Sequence, residues 1–272
     1  MNSALNIAYI PIYLNRMNIA LVSYKKDKKN SQGATLDEDQ ELLNYLRDQD
    51  ISIQEVIWND ENMNWSQFDL LIIKSPWDYH NYHSKFLNWL EEIHSLGIKV
   101  LNSVELIKWN SNKKYLEEIK AQGLPVISSV YLLKGSNFKK ELFDTFHTAK
   151  LVVKPCISAG AQHTFLLHKE DSQDYIPQIN QLLELEDFIV QPFIEEIKDG
   201  EWSFLFFNGK YSHCVLKTPK KDDFRVQQSH GGFESYPEAN REYIEQASRF
   251  FKYSSGSSVV CSSRWCYYPK YI

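Results

Sequence analysis

Cysteine is scarce in this chain. Cys156, Cys214, Cys261 and Cys266 are scattered and form no CxxC pair. That argues against a disulfide scaffold or a structural zinc site and fits a reducing cytoplasm. Long apolar runs are also missing, for none approaches the roughly 18 residues of a membrane-spanning helix. A basic surplus is absent too. Lys and Arg number 30 against 35 Asp and Glu, a formal net charge of −5. A general binder of nucleic-acid backbones needs the opposite balance, although a local basic patch can still take a nucleotide. The first 16 residues lack the basic start and small-residue cleavage site of a signal peptide and contain Pro11.

What is present suits a soluble globular protein. Of the 272 residues, 43% are hydrophobic, 24% charged and a high 14% aromatic. A chain of that length buries a sizeable core and has room for one large domain or two to three subdomains. At Met17 an apolar run of strand character begins. Residues 1–16 are read either as sequence upstream of the natural start or as an ordinary arm. On both readings their removal is expected to leave the fold intact. A polar loop is expected at 25–33, helices over 36–48 and 86–96, and strands over 51–58, 68–74 and 98–101. Strands alternating with helices predict a parallel α/β unit over about 17–103.

Further on, helical spacing predicts helices at 112–122, with Asn112 as cap, at 176–185, and at 237–252, opened by Pro237. Strands are expected at 126–133, 151–154, 188–191, 202–207 and 211–217. Asn208-Gly209 between the last two signals a hairpin. The segment after Tyr253 has no clear period and is biased to Ser, Cys and Tyr.

Three stretches could carry chemistry. In the first, an apolar strand ends on Lys154-Pro155 and runs into Cys156-Ile157-Ser158-Ala159-Gly160-Ala161. A strand-end lysine can point into a cleft, and small residues let backbone N–H groups approach an anion. In the second, a strand leaves its sheet at Gln191-Pro192, with Glu201 ten residues after Gln191. A carbonyl and an N–H near that exit suit an adenine edge, and an acid beyond it suits ribose hydroxyls. In the third, Lys217, Lys220, Lys221 and Arg225 precede His230-Gly231-Gly232, a phosphate-gripping composition. Each also has a plainer reading as a turn, an edge exit or a solvated charged loop. His80 and His83 lack the intervening Glu of a zinc-protease helix, and no metal-ligand set is assigned. Cys156 has no His partner near it in sequence, which argues against a nucleophilic thiol.

Taken in order, these pieces resemble the ATP-grasp superfamily, in its glutathione-synthetase-like branch that includes the cycloserine-biosynthesis ligase. The resemblance covers roughly residues 17–252. It rests on Ser75-Pro76-Trp77-Asp78-Tyr79, Trp109-Asn110-Ser111-Asn112-Lys113-Lys114-Tyr115-Leu116, Val153-Lys154-Pro155, Gln191-Pro192-Phe193, Gly200-Glu201-Trp202-Ser203, and Phe224-Arg225 with His230-Gly231-Gly232. It implies an ATP-grasp fold: an N-terminal α/β substrate domain over 17–103, a first ATP-grasp subdomain over 104–186 and a second over 187–253. It also implies that Lys113 and Lys154 contact the nucleotide phosphates and that the loop of Ser158, Ala159 and Gly160 closes over them. Pro192 and Ile194 would read the adenine edge beside Gln191, Glu201 would hold the ribose, and Arg225 would stabilise the transferred phosphoryl group. The implied chemistry is ATP-dependent activation of a small carboxylate as an acyl-phosphate, then attack by an amine, with Mg2+ as the expected ion. A cytoplasmic location is expected, and a homodimer is allowed.

The resemblance fails at the C-terminus, where the family's metal-binding strands have no counterpart and no metal ligand can be assigned. Residues 254–272 can be encoded so that reading one base later gives Pro-Val-Asp-Leu-Leu-Leu-Tyr-Ala-Arg-Val-Asp-Gly-Val, a strand of the family's kind. Only the Gly of that reading is forced, by Trp265 and Cys266. The tail is therefore expected to be a frameshift product and the chain impaired in turnover. An inactive nucleotide-binding relative is the alternative function.

Overall fold

Strand β1 (Ile19–Ser23) is buried along its whole length, and its alternation decides what lies on each side. Ala20 and Val22 join one cluster with Trp58, Phe86, Trp89 and Leu90, while Ile19 and Leu21 join another with Leu43, Ile53 and Leu70. A strand apolar on both faces belongs inside a sheet covered on both sides. The computed structural model bears this out. It describes residues 17–25, 37–255 and 260–261. The expectations for residues 1–16, for the loop beyond Lys25 and for the tail beyond Ser255, β12 apart, lie outside those residues.

The chain divides into two units between Lys108 and Trp109. In the first, β1, β2 (Ile53–Ile57), β3 (Leu70–Ser75) and β4 (Lys99–Leu101) form a parallel sheet in the order β2-β1-β3-β4. Helices α1 (Glu38–Asp48) and α2 (His83–Ser95) alternate with the strands. Several aromatic side chains pack in this core. Trp58 meets Phe86 edge-on at 5.2 Å, and Trp65 meets Trp89 at 5.4 Å. The indole of Trp58 donates to Asp78 Oδ1 at 2.6 Å. The unit runs past residue 103 because α3 (Val104–Asn110) buries Val104 in this core.

The second unit holds two antiparallel sheets. The first, in the order β5-β8-β6-β7, comprises β5 (Val130–Leu132), β6 (Lys150–Pro155), β7 (Phe165–His168) and β8 (Phe188–Pro192). Strand β5 is shorter than the expected 126–133, since only Val130 to Leu132 pair with β8. Strand β8 is hydrogen-bonded between β5 and β6, so residues 188–192, assigned from sequence to the second subdomain, lie inside the first sheet. Helix α4 (Tyr115–Ala121) precedes this sheet, α5 (Leu142–Thr145) lies between β5 and β6, and α6 (Ile176–Leu183) between β7 and β8. From α6, Ile179 and Leu183 pack against Leu151, Val153, Phe188 and Val190.

The second sheet, in the order β11-β10-β9-β12, comprises β9 (Glu201–Phe207), β10 (Lys210–Thr218), β11 (Phe233–Ser235) and β12 (Val260–Cys261). The expected hairpin turn at Asn208-Gly209 is present, both residues having positive φ. Helix α7 (Arg241–Ser255) stacks Phe251 on Phe206 at 4.9 Å.

Four local readings need correction. Helix α7 starts at Arg241, not Pro237. The Asn240 side chain accepts from the Glu242 amide at 3.0 Å, a service proline cannot perform. Asn112 accepts from the Lys114 amide at 3.0 Å, one turn ahead of α4 rather than as its immediate cap. Strands β7 and β11 were not expected, because each is only three or four residues long and takes its stability from a neighbouring strand. The segment after Tyr253 was expected to offer no strand, yet Val260 and Cys261 pair with Phe207 and Phe206 on β9. The N–H and C=O groups along a sheet edge accept any short extended partner.

Candidate functional site

Alternation along β6 builds the floor of a cleft. Leu151 and Val153 point into the core, so Val152 and Lys154 point the other way. In register, Val152 lies opposite Gln191 on β8, which adds the carboxamide to the same face. The Gln191 Nε2 donates to Ser129 Oγ at 2.9 Å, an anchor that fixes the amide. The other wall comes from the second sheet. Gly200, at φ +111, sits against β10, where a Cβ would lie 2.6 Å from Leu216 Cδ1 and 3.2 Å from the Lys217 carbonyl. That close approach sets Glu201 at the head of β9, paired with Lys217 on β10.

The space between the sheets is a cleft of about 330 Å³. Lys113, Lys154, Ser158, Ala159, Gly160, Gln191, Pro192, Ile194, Glu201 and Arg225 all line it. The structure thus brings together all the residues to which the resemblance gives a role in the site. It adds some to which sequence reasoning gave no role, among them Phe193, Phe224 and Gln227. Phe193 and Phe224 meet edge-on at 6.0 Å. The two phenylalanines stand in the stretches Gln191-Pro192-Phe193 and Phe224-Arg225 that carry the resemblance, which was the sequence signal for them. Lys217, grouped with Arg225 in sequence, lines the cleft as well. Lys220 and Lys221, grouped with Arg225 in sequence, are not part of the lining.

Basic side chains outnumber acidic ones in the lining. Lys113 is partly buried. Its Nζ donates to Ser158 Oγ at 2.8 Å and lies 3.4 Å from the carbonyls of Cys156 and Ser158. Burial, then the nearby Lys154 charge, lowers its pKa to about 7. The Lys113 amide also donates to the Cys156 carbonyl at 2.9 Å, which ties the start of α4 to the end of β6. Burial pushes the Cys156 thiol up to about 12, so it stays protonated and is no nucleophile. The loop over the cleft is tightly wound: Gly160 and Ala161 both have positive φ, +62 and +60. The ring Nε2 of His230 lies 3.2 Å from the Gly160 carbonyl, within hydrogen-bonding reach, linking this loop to the turn that precedes β11.

A Mg2+ site does not fit the described residues. Among them no group of three or more His, Cys, Asp or Glu converges, and Glu201 is the one acid lining the cleft. Magnesium asks for near-octahedral oxygen ligands, usually including carboxylates. Among the described residues the cleft is lined by lysines, Arg225, Gln191, Glu201 and apolar side chains. Among the described residues no helix is long and apolar enough to cross a membrane.

Comparison with known proteins agrees with this geometry. Residues 19–102 match the family described as D-cycloserine synthetase DcsG, N-terminal domain. Residues 126–250 match the prokaryotic glutathione synthetase, ATP-grasp domain. The cycloserine biosynthesis protein DcsG of Streptomyces lavendulae is 27% identical over 184 residues, which are 65% of this chain and 60% of that protein. The match thus spans less than two thirds of the relative's length. The crystal structure of D-cycloserine synthetase DcsG superposes with a TM-score of 0.73 at 22% identity, covering 88% of this chain and 80% of that one. D-alanine–D-alanine ligase from Bacillus anthracis, in complex with ATP, gives 0.65 at 15% identity, covering 90% and 79%. The parallel first unit, the two antiparallel sheets around a lysine-lined cleft and these matches lead to one assignment: the chain carries an N-terminal domain of the DcsG kind over residues 19–102 and an ATP-grasp domain of the prokaryotic glutathione synthetase kind over residues 126–250.

Proposed function

We propose that this chain binds ATP in the cleft between its two antiparallel sheets and uses it to join a small carboxylate to an amine through an acyl-phosphate. The observation that carries the reading is the convergence of Lys113, Lys154, Lys217 and Arg225 on a cleft lined by one acid, Glu201. Three cations and a lysine that titrates at about 7, facing one carboxylate, make a site for a polyanion. Lys113 and Lys154 hold phosphate oxygens, and the amides of the loop from Ser158 to Ala161 close over them. Pro192 and Ile194, beside the apolar Phe193, border the base, with Gln191 behind it. Glu201 accepts from ribose hydroxyls. Arg225 offers a planar fork to the phosphoryl group as it passes to the carboxylate oxygen, where charge accumulates in the transition state. The relatives' names make D-amino-acid-like carboxylates and amines the first compounds to try.

A second reading is nucleotide binding without turnover. It draws on the scarcity of carboxylates in the cleft, since a ligase must also offset the charge that builds on the β- and γ-phosphates. One experiment separates the two. A fluorescent ATP analogue is titrated onto the purified chain, and ADP release is followed with a panel of carboxylates, each with and without an amine and magnesium salt. Carboxylate-dependent ADP release supports the ligase. Saturable binding with no release supports the second reading. No binding refutes both.

A further inference from the structure

We propose that Asp223 is a positioning residue, holding the Arg225 guanidinium by one edge so that its other edge meets the terminal phosphoryl group of a bound nucleotide. The inference rests on the nucleotide reading above and adds a residue to it. Asp223 is not among the residues lining the cleft; Arg225 is. The two are joined by a complete fork. Arg225 Nε donates to Asp223 Oδ1 at 3.0 Å, and Nη2 donates to Oδ2 at 2.8 Å. A guanidinium has five N–H groups in a fixed plane. The fork uses the Nε edge and leaves both N–H groups of Nη1 and one of Nη2, which together form the geometry that grips two oxygens of one phosphoryl group.

The same carboxylate also fixes the backbone beneath the arginine. Oδ1 accepts from the amides of Phe224 at 2.8 Å and Arg225 at 3.0 Å. One side chain thereby sets both the path of the loop and the aim of the guanidinium. An arginine otherwise carries considerable rotamer entropy, which would have to be lost when a phosphoryl group arrives. Hydrogen bonding from Arg225 holds the Asp223 carboxyl well below the usual carboxylate range. It stays ionised across neutral pH, and the clamp does not open there.

The test is a comparison of affinities. ADP and a non-hydrolysable ATP analogue are titrated by calorimetry onto the full chain and onto Asp223→Asn. The asparagine keeps an oxygen for the two backbone amides and loses the charged fork. Affinity for ADP is expected to change by less than about twofold and affinity for the analogue to fall about tenfold, the weight of one charge-assisted hydrogen bond. In an Arg225→Ala background, Asp223→Asn is expected to have no further effect, because its action passes through the arginine. An unchanged preference for the analogue over ADP, or equal losses with and without Arg225, overturns the proposal. Should Asp223→Asn not fold, Asp223→Glu reads the same preference with the charge kept and the carboxylate displaced by one methylene. Failure of the unaltered chain to bind either nucleotide overturns the nucleotide reading itself, an outcome distinct from any result on Asp223.

Discussion

Raising the pH should weaken nucleotide binding through Lys113, and the size of the effect follows from its surroundings. In the ligand-free chain this lysine titrates at about 7, lowered by burial and then by Lys154, with Glu186 acting the other way. Cys156 is protonated in this range. A phosphate beside Nζ favours the charged form and so raises the pKa on binding. Below about pH 6 the lysine is charged in both states, and affinity is at its plateau. By about pH 9 the free chain holds the charged form roughly one time in a hundred, while the complex still holds it. Affinity should therefore fall about 100-fold across that interval, tenfold per unit above pH 7. Near pH 8, binding should draw close to one proton from solution, which calorimetry in buffers of different ionisation enthalpy measures directly. Lys113→Arg is the control, since arginine keeps its charge throughout, and its profile should be flat above pH 7. Equal slopes for the two chains, or no proton uptake at pH 8, would refute the argument. The same shift bears on stability. A lysine lowered in the folded state binds fewer protons than in the unfolded chain between about pH 7 and 10.5, so its presence costs stability at neutral pH and the cost shrinks as pH rises through that window. Lys113→Met should accordingly raise the melting temperature at pH 7 while reducing nucleotide affinity.

Three further outcomes are expected. Lys154→Ala should weaken ATP binding by roughly 10- to 150-fold, the loss of one hydrogen bond to a charged group, and an unchanged titration would remove this lysine from the phosphate site. Gly232→Ala should lower the melting temperature by several degrees, because a Cβ there would stand 2.2 Å from the Val226 carbonyl oxygen; unaltered thermal unfolding would show that the turn before β11 yields easily. Phe86→Ala should cost about 3–5 kcal/mol in denaturant unfolding, since the ring is enclosed among Trp58, Tyr79 and Trp89, and a loss under 1 kcal/mol would contradict that packing.

How much of this was legible in the sequence depends on the distance over which each feature is set. The parallel first unit could be read because β1 and β3 are apolar on both faces and α1 and α2 repeat at helical spacing, all local patterns. The hairpin at Asn208-Gly209 was legible for the same reason. Lys154 and the small residues after it could be named as an anion loop because strand end and loop are contiguous. What the sequence could not decide was adjacency. Strand β8 belongs between β5 and β6 because its hydrogen bonds are made there, and no pattern within residues 188–192 states which neighbours they will have. Nor could spacing show that Lys113 and Ser158 would meet at 2.8 Å across 45 residues of chain, or that burial would bring that lysine to titrate near neutrality. The residue types and local periods determined the elements and nominated the site. Burial, register and the closing of the two sheets around the cleft decided which charges face one another, because those are properties of contacts between distant segments.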